Sequence, residues 1–296
     1  MSDLENAFEN AVEVKNLTKK YDGFKLDHIS FSVPKGSIMG FIGQNGAGKS
    51  TTIKAILNII KTDGGEIRLL GKDHLKYETE VKEQMAAVFD ECPFHDSFKA
   101  KQLNIMFKGL YRNWDEELFH QYLERFGLPK NKKIGQFSKG MKMKMQIATA
   151  LSHRAKLLIM DEATTGLDPV VRNEILDIFR EYLSDETNSI LMSSHITSDL
   201  DKIADCITFI DKGKLLLTGY KDDILESHGL MKCSETDYQK IAVEDIVSAR
   251  KSDFCVDVMV SDRMACKRKY AWANMEKTNL EDIMLFYVNR EKREWW

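Results

Sequence analysis

Proline is scarce, with four in 296 residues, and no stretch reaches the roughly 20 apolar residues a membrane-spanning helix requires. These absences exclude a Pro-rich linker and a helical span; low-complexity tracts and internal repeats are missing too. Excess charge of one sign is absent as well. Lys plus Arg number 43 against 46 Asp plus Glu, a net charge of −3, which gives no electrostatic case for a nucleic-acid partner. Cysteine is sparse and odd in number: Cys92, Cys206, Cys233, Cys255 and Cys266 are too scattered for a disulfide framework and read as reduced thiols in a cytoplasm. Cys92 and His95 have a C-x-x-H spacing, but no second ligand pair accompanies them, so an ordinary loop is expected. The opening MSDLENAFENAVEV is acidic and lacks an apolar core, unlike a signal or transit peptide. At this length a main domain with a smaller appendage is expected.

What is present is concentrated in one octapeptide, Gly43-Gln44-Asn45-Gly46-Ala47-Gly48-Lys49-Ser50. Before it, Ile38, Met39, Phe41 and Ile42 suit a buried strand; after it, Ile53, Ile56, Leu57 and Ile60 recur at helical spacing. The glycines therefore sit at a strand-to-helix turn. There, backbone N–H groups can converge on phosphate oxygens, helped by the free donors of the following helix. Gly43, Asn45, Gly46, Gly48 and Thr51 are expected in this cradle; Lys49 would contact the β- and γ-phosphates, and Ser50 would offer its hydroxyl to Mg²⁺.

Around this loop the pattern is α/β. Strands are expected over Ala11 to Leu17 and His28 to Val33, followed by an Asp63-Gly64-Gly65 turn and a strand over Glu66 to Leu70. Helices dominate from Ala100 to Leu151, the clearest capped by Asp115 and stopped by Gly127. Strands over Lys156 to Met160 and Ser189 to Ser193 flank a helix through Val171 to Leu183, the alternation of a parallel sheet. Cys206 to Ile210 and Lys214 to Thr218 read as a hairpin. Past Gly229, short strands at Val247 to Arg250 and Cys255 to Val260 precede a helix at Leu280 to Val288, with Thr278 and Glu281 as its capping box.

Leu157-Leu158-Ile159-Met160-Asp161-Glu162 is an apolar run that ends in two acids, as expected where a buried strand delivers carboxylates to a ligand. Asp161 would hold Mg²⁺ through water, and Glu162 would accept a proton from the water that attacks the γ-phosphate. Phe137-Ser138-Lys139-Gly140-Met141 opens a segment whose Met-Lys alternation mimics a strand. A helix fits better, because Met141, Met145, Ala148 and Leu151 share one face, with Ser138 and Gly140 at its N-terminus as a second anion site.

This segment resembles the signature of ATP-binding cassettes, usually written L-S-G-G-Q, and the whole set is similar to that family over roughly residues 11 to 220. The resemblance implies an α/β ATPase core with an antiparallel β subdomain, an inserted helical subdomain over about 91–152 and a small C-terminal α+β domain. It also implies roles. Tyr21 matches the aromatic residue that stacks on adenine, Gly166-Leu167-Asp168 the loop that joins the active sites of two subunits, and His195 the residue that contacts the γ-phosphate and orients water. Two positions depart from the family. Asp90 stands where a glutamine usually senses Mg²⁺; its carboxylate can bind the metal but cannot donate as an amide does. Lys139 replaces the first signature glycine, and its charge either helps hold phosphate or points to solvent.

In the family, the loop of one cassette meets the signature of another, with ATP between them. One copy of each here implies a homodimer or heterodimer with a second cassette, closed by ATP and released by hydrolysis. Separate integral membrane permease subunits are the implied partners, reached through a groove lined by Phe89 to Lys99, with the cassette on the inner face of the cell membrane. Phe89-Asp90-Glu91, the signature and Asn279 to Val288 resemble ATPase subunits of Gram-positive exporters for drugs, lantibiotics or other peptides. A soluble ATPase of translation or repair is the rival class, but neither a second cassette nor a long coiled coil is present. An ATP-binding regulator without catalysis is opposed by intact Lys49, Glu162 and His195. The expected division is residues 1–228 for the cassette and 229–296 for a small accessory domain.

Overall fold

The computed structural model describes residues 10–252 and 254–290. The acidic opening residues and the Trp-ended tail lie outside them.

β1 (Asn10–Tyr21) and β2 (Phe24–Pro34) form a hairpin in which Tyr21 faces Phe24 across Asp22 and Gly23. Ile29, Phe31 and Val33 are buried while Ser30 and Ser32 are exposed, the period-two pattern of a sheet with one face on a core. β3 (Ile38–Ile42) is buried throughout, as strands covered on both faces are, and leads through the glycine loop to α1 (Lys49–Ile56). α1 stops short of Ile60, because Leu57 caps it and Asn58 turns into the left-handed region at φ 54°.

β4 (Gly64–Leu69) pairs antiparallel with β1, and β5 (Lys72–Asp73) adds the edge of a four-stranded sheet ordered β2-β1-β4-β5. The expected turn at Gly64-Gly65 is instead part of β4: Gly64 pairs with Thr18 beyond an irregularity in the register. Gly65 makes this possible, since at φ 96° its Cβ would lie 2.6 Å from the Asn16 carbonyl oxygen.

α2 (Glu78–Glu83) leads to β6 (Met85–Phe89), a strand the sequence reading passes over. The helical segment then comprises α3 (Ala100–Leu110), α4 (Glu116–Arg125) and α5 (Lys139–Ser152). Asp115 caps α4 by accepting from the Leu118 amide at 2.8 Å, and Gly127 ends it at φ 61°. The Met-Lys run is a helix. Met145, Ala148 and Leu151 are buried in the core and Met141 is half-buried against it.

β7 (Leu157–Asp161), α6 (Pro169–Tyr182), β8 (Ser189–Ser194), α7 (Thr197–Ile203) and β9 (Cys206–Asp211) continue the alternation, closed by the antiparallel edge strand β10 (Lys214–Tyr220). The six-stranded order is β10-β9-β3-β8-β7-β6. Its five parallel strands end at one edge, where Ile42 aligns with Ser194, Ser193 with Asp161 and Asp161 with Phe89.

After α8 (Lys221–Ser227), β11 (Gly229–Cys233), α9 (Glu235–Tyr238), β12 (Ile246–Lys251), β13 (Val256–Val260), α10 (Arg263–Lys269), β14 (Asn274–Glu276) and α11 (Leu280–Val288) build a second antiparallel sheet ordered β12-β13-β11-β14. The cap of α11 is Asn279 rather than Thr278: its side chain accepts from the Asp282 amide at 2.8 Å, and its extended backbone (φ −123°, ψ 171°) immediately precedes the first helical residue. Leu280, Ile283 and Phe286 of α11 join Leu230 and Met259 in the same core cluster as the α/β sheet. Among the described residues no helix is long and apolar enough to cross a membrane.

Candidate functional site

The loop between β3 and α1 takes its shape from glycines that no other residue replaces cheaply. A Cβ on Gly43 would lie 2.4 Å from the Ile210 carbonyl oxygen, and Gly48 holds φ 114° with its would-be Cβ 2.7 Å from Leu26. The Lys49 ammonium turns back into the loop, donating to the Gly43 carbonyl at 2.7 Å and lying 3.0 Å from Glu162 Oε1. Gln44, Asn45, Gly46, Gly48, Lys49, Ser50, Thr51, Phe24 and Glu162 line a concavity of about 410 Å³. A larger one, about 550 Å³, opens between β1, β2 and β10 and contains none of these groups.

Glu162 follows the last residue of β7 with φ 54°, a left-handed conformation that a residue with a long side chain rarely adopts. Its amide donates to Ser193 Oγ at 3.1 Å, while Ser193 Oγ donates to Asp161 Oδ1 at 2.6 Å. One buried serine thus orients both acids. The Glu162 carboxylate is surrounded by donors: Lys49 on Oε1, and Thr165 Oγ1 at 2.8 Å and His195 Nδ1 at 2.6 Å on Oε2. Burial pushes this carboxyl up, but the bonds from Lys49, Thr165 and His195 outweigh it and hold the group below the ordinary glutamate value. An ionised carboxylate beside a phosphate-binding loop can take a proton from water.

Asp90 lies next to this group, its amide donating to the Asp161 carbonyl at 3.0 Å. Its carboxylate faces the Lys139 ammonium, 2.5 Å away. Lys139 therefore has a protein partner, an arrangement neither of the two sequence alternatives contained. Ser138 caps α5, accepting from the Met141 amide at 3.2 Å, and a Cβ on Gly140 would touch Val171 of α6 at 3.3 Å. Asp168 caps α6 by accepting from the Val170 and Val171 amides at 3.1 Å each.

The fold thus brings Lys49, Asp161, Glu162 and His195 to one edge with the loop. Ser138, Gly140, Asp168 and Tyr21 do not line the loop concavity. Tyr21 ends β1 with its ring half exposed, and its hairpin partner Phe24 lines the concavity instead. Sequence reasoning misses Ser193, Thr165, Phe24 and Gln146, whose carboxamide accepts from the Phe89 amide at 3.1 Å and donates to its carbonyl at 3.0 Å. Signals existed for two of them: Phe24 follows Tyr21 across the turn, and Ser193 stands two residues before His195. No cluster of three or more His, Cys, Asp or Glu that could hold a metal occurs among the described residues, Cys92 and His95 included.

A family model described as ABC transporter matches residues 26–165. The bacitracin transport ATP-binding protein BcrA of Bacillus licheniformis is 34% identical over 211 residues, covering 69% of this chain and 68% of that protein. The daunorubicin/doxorubicin resistance ATP-binding protein DrrA of Streptomyces peucetius is 30% identical over 226 residues, covering 74% and 68%. Among solved structures, an ATP-binding subunit of an ABC transporter matches with TM-score 0.67 at 28% identity, over 72% of this chain and 91% of that one. The expected α/β ATPase fold and the resemblance to ATP-binding cassettes are both borne out. The chain belongs to the ABC transporter family, as an ATP-binding subunit that hydrolyses ATP to power transport.

Proposed function

We propose that this subunit works as one of two cassettes, identical or related, that clamp ATP between them and drive export of a drug, lantibiotic or other peptide through separate membrane-spanning permease subunits. The reading of export draws on the bacitracin and daunorubicin relatives. Residues 1–228 would serve as the nucleotide-binding unit and 229–296 as a small accessory unit. The position is peripheral, on the cytoplasmic face of the membrane.

The observation that carries the catalytic reading is the Lys49, Glu162 and His195 cluster beside the loop. The loop amides and Lys49 bind the phosphates, with Gly43, Asn45, Gly46, Gly48, Ser50 and Thr51 shaping the cradle and Tyr21, beside Phe24, receiving the base. Lys49 is drawn toward the γ-phosphate, a stronger anion, which frees Glu162 Oε1 to accept a proton from the attacking water while His195 orients it. Ser138 and Gly140 at the start of α5, with Asp168, serve the nucleotide of the partner cassette. The hydroxyl of Ser50 and the carboxylates of Asp161 and Asp90 are hard oxygen donors, which fit Mg²⁺. When bound, the ion neutralises phosphate charge.

Glu162→Gln removes the proton acceptor and keeps the shape. ATP hydrolysis should fall roughly 10²- to 10⁴-fold while ATP binding persists and dimers accumulate. Undiminished turnover would exclude Glu162 as the base, and a monomer at saturating ATP would exclude the clamp. Export is tested by co-expressing the chain with a multi-span membrane protein sought among the neighbouring genes. Resistance to a peptide antibiotic or drug should rise, and fall again with Glu162→Gln.

A further inference from the structure

The two departures from the family's pattern meet in space. Lys139 is the first residue of α5, and its ammonium lies 2.5 Å from Oδ1 of Asp90, just past β6. That oxygen is itself enclosed, with no other hydrogen-bond donor on it among the described residues. The backbone beneath it is fixed from two sides: the Asp90 amide donates to the Asp161 carbonyl, and Gln146 of α5 holds both the amide and the carbonyl of Phe89. On its far side Lys139 lies over Gly166, where a Cβ would come within 3.2 Å of Nζ. The pair therefore ties together the end of β6, the start of α5 and the turn that follows the acids of β7.

Each departure alone is unfavourable. A lysine in the first turn of a helix faces the positive end of the macrodipole. The Asp90 side chain is 40% exposed, so water screens part of its charge, but the enclosed Oδ1 without Lys139 would have no donor. Together each supplies the other's counter-charge. We propose that Lys139 is a positioning residue for ATP hydrolysis: through its ion pair it fixes Asp90, and with it the segment leaving β6, against Asp161 and Glu162. The inference rests on hydrolysis at this site and is independent of the paired-cassette reading. A neighbouring ion pair, Lys142 with Asp96 at 3.2 Å, joins the same helix to the same segment farther from the acids and supplies the control.

The test is a double-substitution cycle on the full chain, with kcat and KM for ATP measured separately. Lys139→Gln and Asp90→Asn should each lower kcat about tenfold with little change in KM, and the double variant should be no worse than either single one. Lys139→Arg should restore most of the rate, since the charge and reach survive. Lys142→Gln should leave kcat near that of the unchanged chain. The proposal is overturned if the two single losses multiply in the double variant, if arginine fails to rescue, or if Lys142→Gln costs as much as Lys139→Gln. Should Lys139→Gln fail to fold, Lys139→Met, of similar length without the charge, keeps the Asp90 carboxylate and takes its place. A kcat loss in Lys139→Met that Lys139→Arg does not share supports the pair, and a Lys139→Met rate equal to that of the unchanged chain refutes it.

Discussion

Glu162 shows how much one residue's environment decides. Its left-handed backbone aims the carboxylate back at the loop, and Ser193 holds the amide that makes this turn possible. Because Ser193 is fully buried and bonded to both acids, Ser193→Ala takes the donor from Asp161 Oδ1 and leaves the Glu162 amide only the Ser193 carbonyl, 3.2 Å away. The expected cost is about 1–3 kcal/mol in stability and a loss of hydrolysis larger than the stability change explains. Denaturant unfolding and ATPase assays on the same preparation would show it; full activity would mean that the acids hold their geometry unaided. The depressed Glu162 carboxyl also bears on pH. A group lowered in the folded state stays ionised through neutrality, so any loss of rate between pH 8 and pH 6 must come from another group.

At the scale of elements, helix N-termini carry two duties that one substitution can separate. Asp168 caps α6 through both the Val170 and Val171 amides, yet its position also matches the loop that joins two active sites. Asn caps as well as Asp does, whereas Ala does not, with a cost of about 1 kcal/mol. Asp168→Asn should therefore keep the melting temperature, and any fall in ATPase rate then reports the charge. If Asp168→Asn and Asp168→Ala lower stability and rate in step, the residue is a cap alone. The glycine-rich turn behaves differently, since its glycines answer to steric limits set by Ile210 and Leu26 in distant strands.

Over the whole molecule, the C-terminal sheet shares a core with the α/β sheet. Leu280, Ile283 and Phe286 are buried with Ile224 and Leu230, and His228 Nε2 lies 2.9 Å from the Tyr287 hydroxyl. Phe286→Ala should cost about 3–5 kcal/mol, measured by chemical unfolding, and should lower the midpoint of the entire chain. A separate early transition would show that α11 is docked rather than integral. Burial lowers the titration of His74, His153 and His228, though backbone carbonyls partly oppose it. With folded values below the unfolded one, protons bind the unfolded chain first, so stability is full above about pH 6.5 and falls as the pH drops below it. A melting temperature that is flat from pH 7.5 to pH 5 would contradict this.

Local sequence determined the phosphate loop, the run of apolar residues ending in Asp161 and Glu162, and the Asp115 and Ser138 caps, because sterics, burial and capping act over a few residues. The glycines of the loop and the abrupt end of β7 were legible for that reason. The Gly64-Gly65 strand was not, since its irregularity depends on the approach of Asn16 and Leu17 from another strand. Nor were Ser193, Gln146 or the Asp90 and Lys139 pair: their meaning lies in contacts across strand register and between a strand end and a helix start. Period and composition tell which residues face inward; only the tertiary structure decides which charges meet there, because that depends on the order in which parallel strands lie side by side.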